Sequence, residues 1–224
     1  YATSWGVSTR LVGALIMVHG DNKGLRLPPK VAPVQIVIIP IIKNENDMAE
    51  IREFLEPLIV SLEEKGVRLQ LDDRLKVSPG FKFNEWEMKG VPIRVEAGPR
   101  DMESGTVLCA RRDTGEKESL KITSSGEKLI QLLDEIQNNL YNQALEFREK
   151  NTFYADTYDE FKSLIEAGGF IRCGWDGNAD SETAVKSETK ATIRCILQDE
   201  NVDDLLCIYS GNPAKYRVIF ARAY

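Results

Sequence analysis

Cysteine is scarce in this sequence, with four residues in a chain of 224: Cys109, Cys173, Cys195 and Cys207. They form no CxxC or CxC pair, which argues against the disulfide framework of a small secreted domain. A closed zinc site needs four ligands at short paired spacings, and these cysteines do not supply it alone. We therefore expect reduced thiols and a cytoplasmic protein.

The sequence also has few histidines and no long apolar run. The longest apolar runs, Leu11–Val18 and Val34–Ile42, fall well short of the roughly 20 residues that a membrane helix needs, so we expect no membrane partner. The single histidine, His19, lacks a second histidine for a catalytic dyad, and we expect it to form a turn or cap hydrogen bond. Because the chain begins at Tyr1 and offers no small-residue cleavage site after the first run, we interpret its start as a cut through a longer protein.

A basic surplus is also missing. The formal net charge is −6 and the isoelectric point about 5.1, which excludes a global basic footprint for nucleic acid. Between Arg74 and Lys121 the balance changes to 10 Lys and Arg against 8 Asp and Glu. Any contact with RNA must therefore come from individual side chains in that region.

The order of elements predicts more than one domain. Three prolines between residues 27 and 33 form a stiff connector of the kind that joins domains. The β-branched run 34–41 then predicts a strand buried on both faces, 46–65 has helical spacing, and 67–71 alternates as a strand. This pattern is typical of a βαβ unit in a parallel or mixed sheet. A glycine-rich phosphate loop is absent from 40–44, which argues against an unrelated βαβ nucleotide enzyme.

Hydrophobic periodicity predicts the remaining elements in two groups. The first group comprises strands at 91–96 and 106–111, a turn between them at 98–101, and a long helix at 126–150. The second group comprises a helix at 158–166, a strand at 170–175, a helix at 181–189, a strand at 191–197 and an acidic turn at 199–204. Two further strands are predicted between this turn and the end of the sequence.

Several motifs follow one another along almost the whole chain. The first is Thr3-Ser4-Trp5-Gly6-Val7-Ser8-Thr9-Arg10, with a proline-rich exit at 27–33. The later motifs are Pro79–Phe83, Glu85–Glu87, Lys89–Pro92, Arg94–Glu96, Gly98–Asp101, Asn212–Tyr216 and the terminal Tyr224. In this order they resemble class II prolyl-tRNA synthetases of the archaeal/eukaryotic type, from motif 3 to the C-terminal domain.

The resemblance implies three parts. Residues 1–33 would be the end of the aminoacylation domain with a linker, and 34–150 an α/β anticodon-binding domain with a five-stranded mixed sheet. Residues 151–224 would form a small α+β C-terminal domain. The whole protein would be a cytoplasmic, homodimeric proline–tRNA ligase that uses ATP and Mg²⁺ to attach L-proline to its tRNA through a prolyl-adenylate. We expect the 224-residue chain alone to be inactive. The alternative is a stand-alone tRNA-binding or interaction module without catalysis.

Motif 3 assigns the ATP-binding residues by resemblance. Arg10 would hold the ATP phosphates, because its planar, permanently charged guanidinium matches phosphate oxygens. Ser8 would lie beside the nucleotide, and Trp5 and Gly6 would line the adenylate pocket, where glycine permits a close approach of the backbone.

The same resemblance assigns four anticodon-binding residues: Phe83, Glu87, Arg94 and Lys117. Single-stranded RNA loops are recognised by stacking bases on aromatic rings and hydrogen-bonding their edges. A prolyl anticodon presents two adjacent guanines, whose edges Glu, Arg and Lys can bind. The alternative, which the residues themselves leave open, is that Phe83 and Trp86 belong to the core and the charges are solvated.

The C-terminal part departs from the family. There the resemblance implies zinc bound by a C-G-x-x-x-C pair and a later C-x-C. In this sequence those positions are Asp176, Ser181, Cys207 and Tyr209, so a single thiol remains. Hydroxyl groups are poor zinc ligands near neutral pH. We predict no structural zinc.

Overall fold

The computed structural model describes residues 2–42, 45–198 and 200–222 and divides into two compact units, 1–143 and 144–224. Tyr224 of the terminal motif, Asp199 of the predicted acidic turn, and Lys43 and Asn44 of the segment that lacks glycine lie outside the described residues. No helix in the described ranges is long and apolar enough to cross a membrane.

Within the described residues, the elements that begin in the first unit are five helices and five strands. In chain order they are α1 Arg10–His19, β1 Ile36–Pro40, α2 Glu45–Glu64, β2 Leu69–Leu71, α3 Pro79–Met88, β3 Ile93–Ala97, α4 Pro99–Ser104, β4 Thr106–Arg111, β5 Lys117–Lys121 and α5 Ile122–Lys150.

The strands form one five-stranded sheet in the order β2-β1-β3-β4-β5. Strand β1 is parallel to β2 and β3, whereas β4 is antiparallel to β3 and β5. This confirms the predicted mixed sheet. All five residues of β1 are buried, as a central strand with both faces covered requires.

The two faces of this sheet pack against different helices. On one face, Ile36 and Ile38 of β1 pack against the apolar sides of α2 and α5 in the main core. On the other face, Val37 and Ile39 pack against Trp86 of α3 in a smaller cluster. Polar side chains also project from this second face, since Arg94 and Glu96 of β3 pair with Val37 and Ile39.

Four elements of this unit, α1, α3, α4 and β5, were not predicted from periodicity. Helix α3 has few apolar residues, but it begins with a strong local signal: Ser78 accepts a hydrogen bond from the Phe81 amide (3.3 Å), and Pro79 occupies the first turn. Strand β5 is exposed except at Leu120 and therefore lacks a hydrophobic pattern. The predicted turn at 98–101 is instead the start of α4, where Asp101 accepts from the Gly98 amide (2.8 Å).

The second unit is α+β, as predicted. Its elements are β6 Thr152–Tyr154, α6 Tyr158–Ala167, β7 Phe170–Trp175, α7 Ala179–Thr189, β8 Ala191–Leu197 and β9 Tyr216–Arg222. The four-stranded sheet has the order β6-β7-β9-β8, and its core includes Phe161, Ile171 and Phe220. The prediction of two strands after the acidic turn was wrong in part, because Leu206 and Cys207 form only isolated bridges. Strand β6, which has three residues, was not predicted.

Candidate nucleic-acid interface

Helix α3 and the adjacent sheet face enclose a cavity of about 280 Å³. Its lining includes all four residues that the sequence assigned to RNA, Phe83 and Glu87 from α3, Arg94 from β3 and Lys117 from β5. Trp86 is buried in the small cluster, whereas Phe83 is only half-buried at the edge of that cluster. The alternative interpretation therefore holds for Trp86, while Phe83 borders both the core and the cavity.

Strand register sets the positions of the two cations. Arg94 pairs with Ala110 on β4, and Ala110 pairs with Lys117 on β5. Paired residues project from the same face of a sheet, so the three side chains form a row beneath α3. The Ala110 side chain is much shorter than those of Arg94 and Lys117, so it leaves space between them, and it lines the cavity there.

The Arg94 side chain has two partners from the protein. Its guanidinium carbon lies 4.4 Å from the centre of the Phe83 ring, a cation–π arrangement. Its Nε donates to Oε1 of Glu96 at 2.9 Å, and its Nη2 is also 2.9 Å from that oxygen. The Lys117 ammonium is 3.7 Å from the same Oε1. Glu96 is 4% exposed, so this carboxylate is a buried anion between two cations.

The backbone and carboxylate of Glu87 are held from two sides. Lys23 Nζ is 3.3 Å from Glu87 Oε1. Arg112 Nε donates to the Glu87 carbonyl at 2.9 Å, while its two Nη atoms donate to the carboxylate of Asp21 at 2.8 and 2.6 Å. These bonds from Arg112 hold the pKa of Asp21 well below its usual range. Lys23 and Arg112 both line the cavity.

Two glycines permit the segment that carries Lys23 to approach the end of α3. The Leu25 amide donates to the Met88 carbonyl at 3.0 Å. Gly24 has φ +131°, and a Cβ there would meet the Met88 backbone at 2.5 Å. Gly90 has φ +76°, and a Cβ there would be 2.5 Å from the Leu25 side chain. Only glycine suits these two positions, because each combines positive φ with a close contact.

A second buried acid, Asp72, attaches α3 to the end of β2. Its Oδ2 accepts from the Trp86 indole at 2.8 Å, and Arg74 donates to both carboxylate oxygens at 2.8 and 2.7 Å. The buried Lys82 ammonium donates to the Asp72 carbonyl at 2.9 Å. Burial alone would raise the pKa of Asp72, but the hydrogen bonds from Arg74 and Trp86 and the Lys82 charge hold it well below its usual value.

The motif 3 residues lie outside the lining of this cavity. Trp5 is 94% exposed, and Gly6, Ser8 and Arg10 are exposed as well. Their donors suit the phosphate and sugar groups of a nucleotide, and their exposure leaves them accessible to one. Helix α1, which begins at Arg10, has no buried residue.

His19, the single histidine of the sequence, lies outside the lining of the α3 cavity. It ends α1, and its carbonyl accepts from Arg26 Nε at 3.1 Å. Burial and the nearby Arg26 charge lower the pKa of its imidazole.

The positions that correspond to zinc ligands contain a carboxylate surrounded by hydrogen-bond donors. Asp176 Oδ2 accepts from the hydroxyls of Ser181 (3.0 Å) and Ser210 (2.7 Å), and its Oδ1 accepts from the Asn178 amide (3.0 Å). The Cys207 thiol is a further hydrogen-bond partner of this carboxylate. Burial alone would raise the pKa of Asp176, but these hydrogen bonds lower it below its usual value.

This donor set does not fit zinc. Tyr209 lies edge-on to the Tyr158 ring, with centroids 5.2 Å apart, so its ring packs against Tyr158. Within residues 2–42, 45–198 and 200–222, no three His, Cys, Asp or Glu side chains form a group that could hold a metal. A thiol, a carboxylate and hydroxyls would leave zinc without its usual four strong ligands.

Sequence reasoning missed Glu96, Lys23 and Arg112. Glu96 had one available signal: it follows Arg94 by two residues in a strand, which places opposite charges on the same face. Lys23 and Arg112 had none, because their partners Glu87 and Asp21 are 64 and 91 residues away in sequence.

Comparison with known proteins agrees with this architecture. Residues 35–132 match the family described as "Anticodon binding domain", and 158–224 match "Prolyl-tRNA synthetase, C-terminal". The chain is 49% identical over its full length to a proline–tRNA ligase of Porphyromonas gingivalis, of which it covers 45%. Corresponding proteins of Cytophaga hutchinsonii and Rubrobacter xylanophilus are 49% and 50% identical, and it covers 46% of each.

The chain thus spans about half the length of the curated relatives it matches. The two matched families account for the two compact units separately, since one lies within 1–143 and the other within 144–224. The chain contains an anticodon-binding domain followed by a prolyl-tRNA synthetase C-terminal domain.

Proposed function

We propose that this chain is the C-terminal part of a proline–tRNA ligase of the archaeal/eukaryotic type, and that its α3 cavity binds the anticodon of proline tRNA. The observation that carries the proposal is the convergence of Phe83, Glu87, Arg94 and Lys117 on one cavity. An aromatic ring, a carboxylate and two cations are the groups that single-stranded RNA recognition requires. The names of the relatives support the choice of proline tRNA.

The chemistry of the four side chains suits guanine. Arg and Lys donate to guanine O6 and N7, and a Glu carboxylate accepts from N1–H and N2–H₂. In the free chain Lys23 pairs with Glu87, so a guanine bound at Glu87 takes the place of that ammonium. The half-buried Phe83 contributes ring surface, to which splayed bases bind by stacking.

The whole protein would join L-proline to its tRNA through a prolyl-adenylate: ATP would supply the adenylyl group, pyrophosphate would leave, and Mg²⁺ would neutralise phosphate charge. Arg10 would bind the ATP phosphates, Ser8 would contact the nucleotide, and Trp5 and Gly6 would line its pocket. The exposure of these side chains supports a site that other parts of a full-length protein complete. The relatives, about twice as long as this chain, agree with that arrangement.

Other features of the proposal rest on the same comparison. We propose three parts at 1–33, 34–150 and 151–224, a cytoplasmic location and a homodimeric full-length enzyme. All four cysteines are free, and burial raises the pKa of the Cys109 and Cys173 thiols to about 12, which supports a reducing compartment and unreactive thiols. The Asp176 network supports the absence of structural zinc.

Fluorescence anisotropy with a labelled anticodon stem–loop tests the proposal. We expect the chain to bind the proline loop about 10- to 100-fold more tightly than the same loop with its two guanines replaced by adenines, since each good bidentate base contact contributes about 1–3 kcal/mol. Arg94→Ala should lose this difference, whereas Arg100→Ala, an exposed cation outside the cavity, should keep it. Equal affinity of the unsubstituted chain for both loops would overturn the proposal.

A second candidate is a tRNA-binding module without catalysis, in which Trp5 and Arg10 would stay exposed. Both candidates use the α3 cavity, so RNA binding does not separate them. Proline-dependent ATP–pyrophosphate exchange by the full-length protein would establish the ligase, and its absence would establish the module.

A further inference from the structure

Glu96 occupies an unusual position for an acid. It lies in the central strand β3 and is 4% exposed, between neighbours that belong to the core. An unpaired carboxylate at such a position would be strongly unfavourable, because it loses its hydration without compensation. Its Oε1 instead contacts Arg94 Nε, Arg94 Nη2 and Lys117 Nζ, at 2.9, 2.9 and 3.7 Å.

These contacts leave one edge of Arg94 available. A guanidinium has five N–H donors, and the Nε–Nη2 edge of Arg94 faces Glu96. Among the described residues, the Arg94 side chain has no other hydrogen-bond acceptor. The remaining Nη1–Nη2 edge can donate two parallel bonds to a ligand, and the Phe83 ring fixes the plane of the group.

Glu96 also holds two like charges near one another. Arg94 and Lys117 are separated by Ala110 alone in the row across β3, β4 and β5, so their charges repel. One shared carboxylate offsets that repulsion. The Lys117 contact is longer than a hydrogen bond and its side chain is 52% exposed, so its ammonium remains free to reach a ligand.

We propose that Glu96 is a positioning residue for guanine recognition at this site, which rests on the proposed anticodon-binding function. It orients the Nη1–Nη2 edge of Arg94 toward O6 and N7 of one guanine and keeps Lys117 at the adjacent side of the cavity. Glu96 itself does not touch RNA. Its effect is to reduce the ordering cost of the two cations on binding.

This role predicts opposite effects on specific and non-specific binding. Glu96→Gln keeps the shape of the side chain but removes its charge. We expect affinity for the guanine-containing loop to fall about tenfold, within the range for one bidentate base contact. Affinity for the adenine-substituted loop should stay equal or rise, because the removed negative charge lies beside two cations that attract phosphate.

The test compares both loops with the unsubstituted chain, Glu96→Gln, Glu96→Asp and Glu118→Gln. Glu118 is an exposed acid on β5 outside the cavity, and its neutralisation should leave discrimination unchanged. Glu96→Asp keeps the charge but shortens its reach, and should discriminate to an intermediate degree. Thermal unfolding followed by circular dichroism verifies that each variant folds, and Glu96→Asp alone decides the question if the glutamine variant does not.

An unchanged discrimination ratio in the Glu96 variants would overturn the inference, whether both affinities stay the same or fall by the same factor, as a purely structural role predicts. The Arg94→Ala variant separates this failure from that of the proposed function. If Arg94→Ala loses discrimination and the Glu96 variants keep it, only the positioning role is wrong. If the unsubstituted chain does not discriminate, the proposed function itself is wrong.

Discussion

The guanidinium of Arg94 lies over the ring of Phe83, with its central carbon 4.4 Å from the ring centre, although one residue is on β3 and the other on α3. The contact joins the two sides of the cavity. Phe83 also packs at the edge of the small apolar cluster, which limits the movement of the ring beside the cation before any ligand binds. We expect stacking and edge recognition at this site to depend on each other for that reason.

The first prediction concerns Phe83. Phe83→Leu keeps apolar volume beside the cluster but removes the aromatic face, so we expect RNA affinity to fall by about 1–3 kcal/mol, the range for base stacking. The loss should be larger for the guanine loop than for the adenine loop, because the substitution also removes the ring that orients the Arg94 guanidinium. Anisotropy titrations measure both. Phe81→Leu, an exposed aromatic on the same helix outside the cavity lining, serves as the control.

The second prediction concerns the space between the cations. Ala110→Leu adds bulk between Arg94 and Lys117 and removes no group that could bind RNA. We expect the guanine-loop affinity to fall more than tenfold while overpacking costs about 1–3 kcal/mol of stability. Ala49→Leu, at an exposed position of α2, should change neither quantity. Undiminished binding by the Ala110 variant would show that the base does not enter this part of the cavity.

The third prediction concerns Asp72 and pH. Asp72→Asn should lower the free energy of unfolding at pH 7 by about 3 kcal/mol, because it weakens a buried ion pair and leaves Lys82 without its counter-charge. The pKa of Asp72 is depressed in the folded chain, so its contribution is fully present above the unfolded value of about 4. It should diminish as the pH falls from there toward the lower folded pKa. Urea unfolding at pH 7, 4 and 3 measures the difference; one that is constant with pH would contradict this account.

The fourth prediction concerns metal in the C-terminal unit. Purified protein should contain no zinc, and a chelator should leave its thermal midpoint unchanged. Asp176→Ala should destabilise the unit by about 2 kcal/mol, since hydrogen bonds to a charged group contribute about 1.5–3 kcal/mol. Asp180→Ala, an exposed acid on α7, is the control. Elemental analysis that finds one zinc per chain, removable only with loss of C-terminal structure, would refute the prediction.

The fifth prediction concerns the exposed motif 3 residues, which lie outside the α3 cavity. The 224-residue chain should show no proline-dependent ATP–pyrophosphate exchange, because Arg10, Ser8 and Trp5 are exposed. Arg10→Ala should leave binding to the anticodon loop unchanged, since Arg10 is outside the cavity. Exchange activity in the isolated chain would contradict the first part, and weaker loop binding by Arg10→Ala the second.

Hydrophobic periodicity was sufficient to predict the elements that bury a continuous set of apolar residues. The β-branched run of β1, the apolar stripe of α2 and the long stripe of α5 were predicted within a few residues, because each buries one continuous apolar set. The same reasoning failed for α3, which buries Lys82 beside Trp86, and for the exposed β5. These two elements carry three of the four proposed anticodon residues.

Motifs in the sequence were sufficient to nominate Phe83, Glu87, Arg94 and Lys117 individually. Only the tertiary structure placed them around one cavity, because their proximity depends on the register of β3, β4 and β5, and a shift by one residue would turn Lys117 to the opposite face. The roles of Glu96 and Lys23 likewise required the folded chain. Whether a charge is buried, shared or exposed depends on which distant segments pack against it, and no local pattern in the chain records that packing.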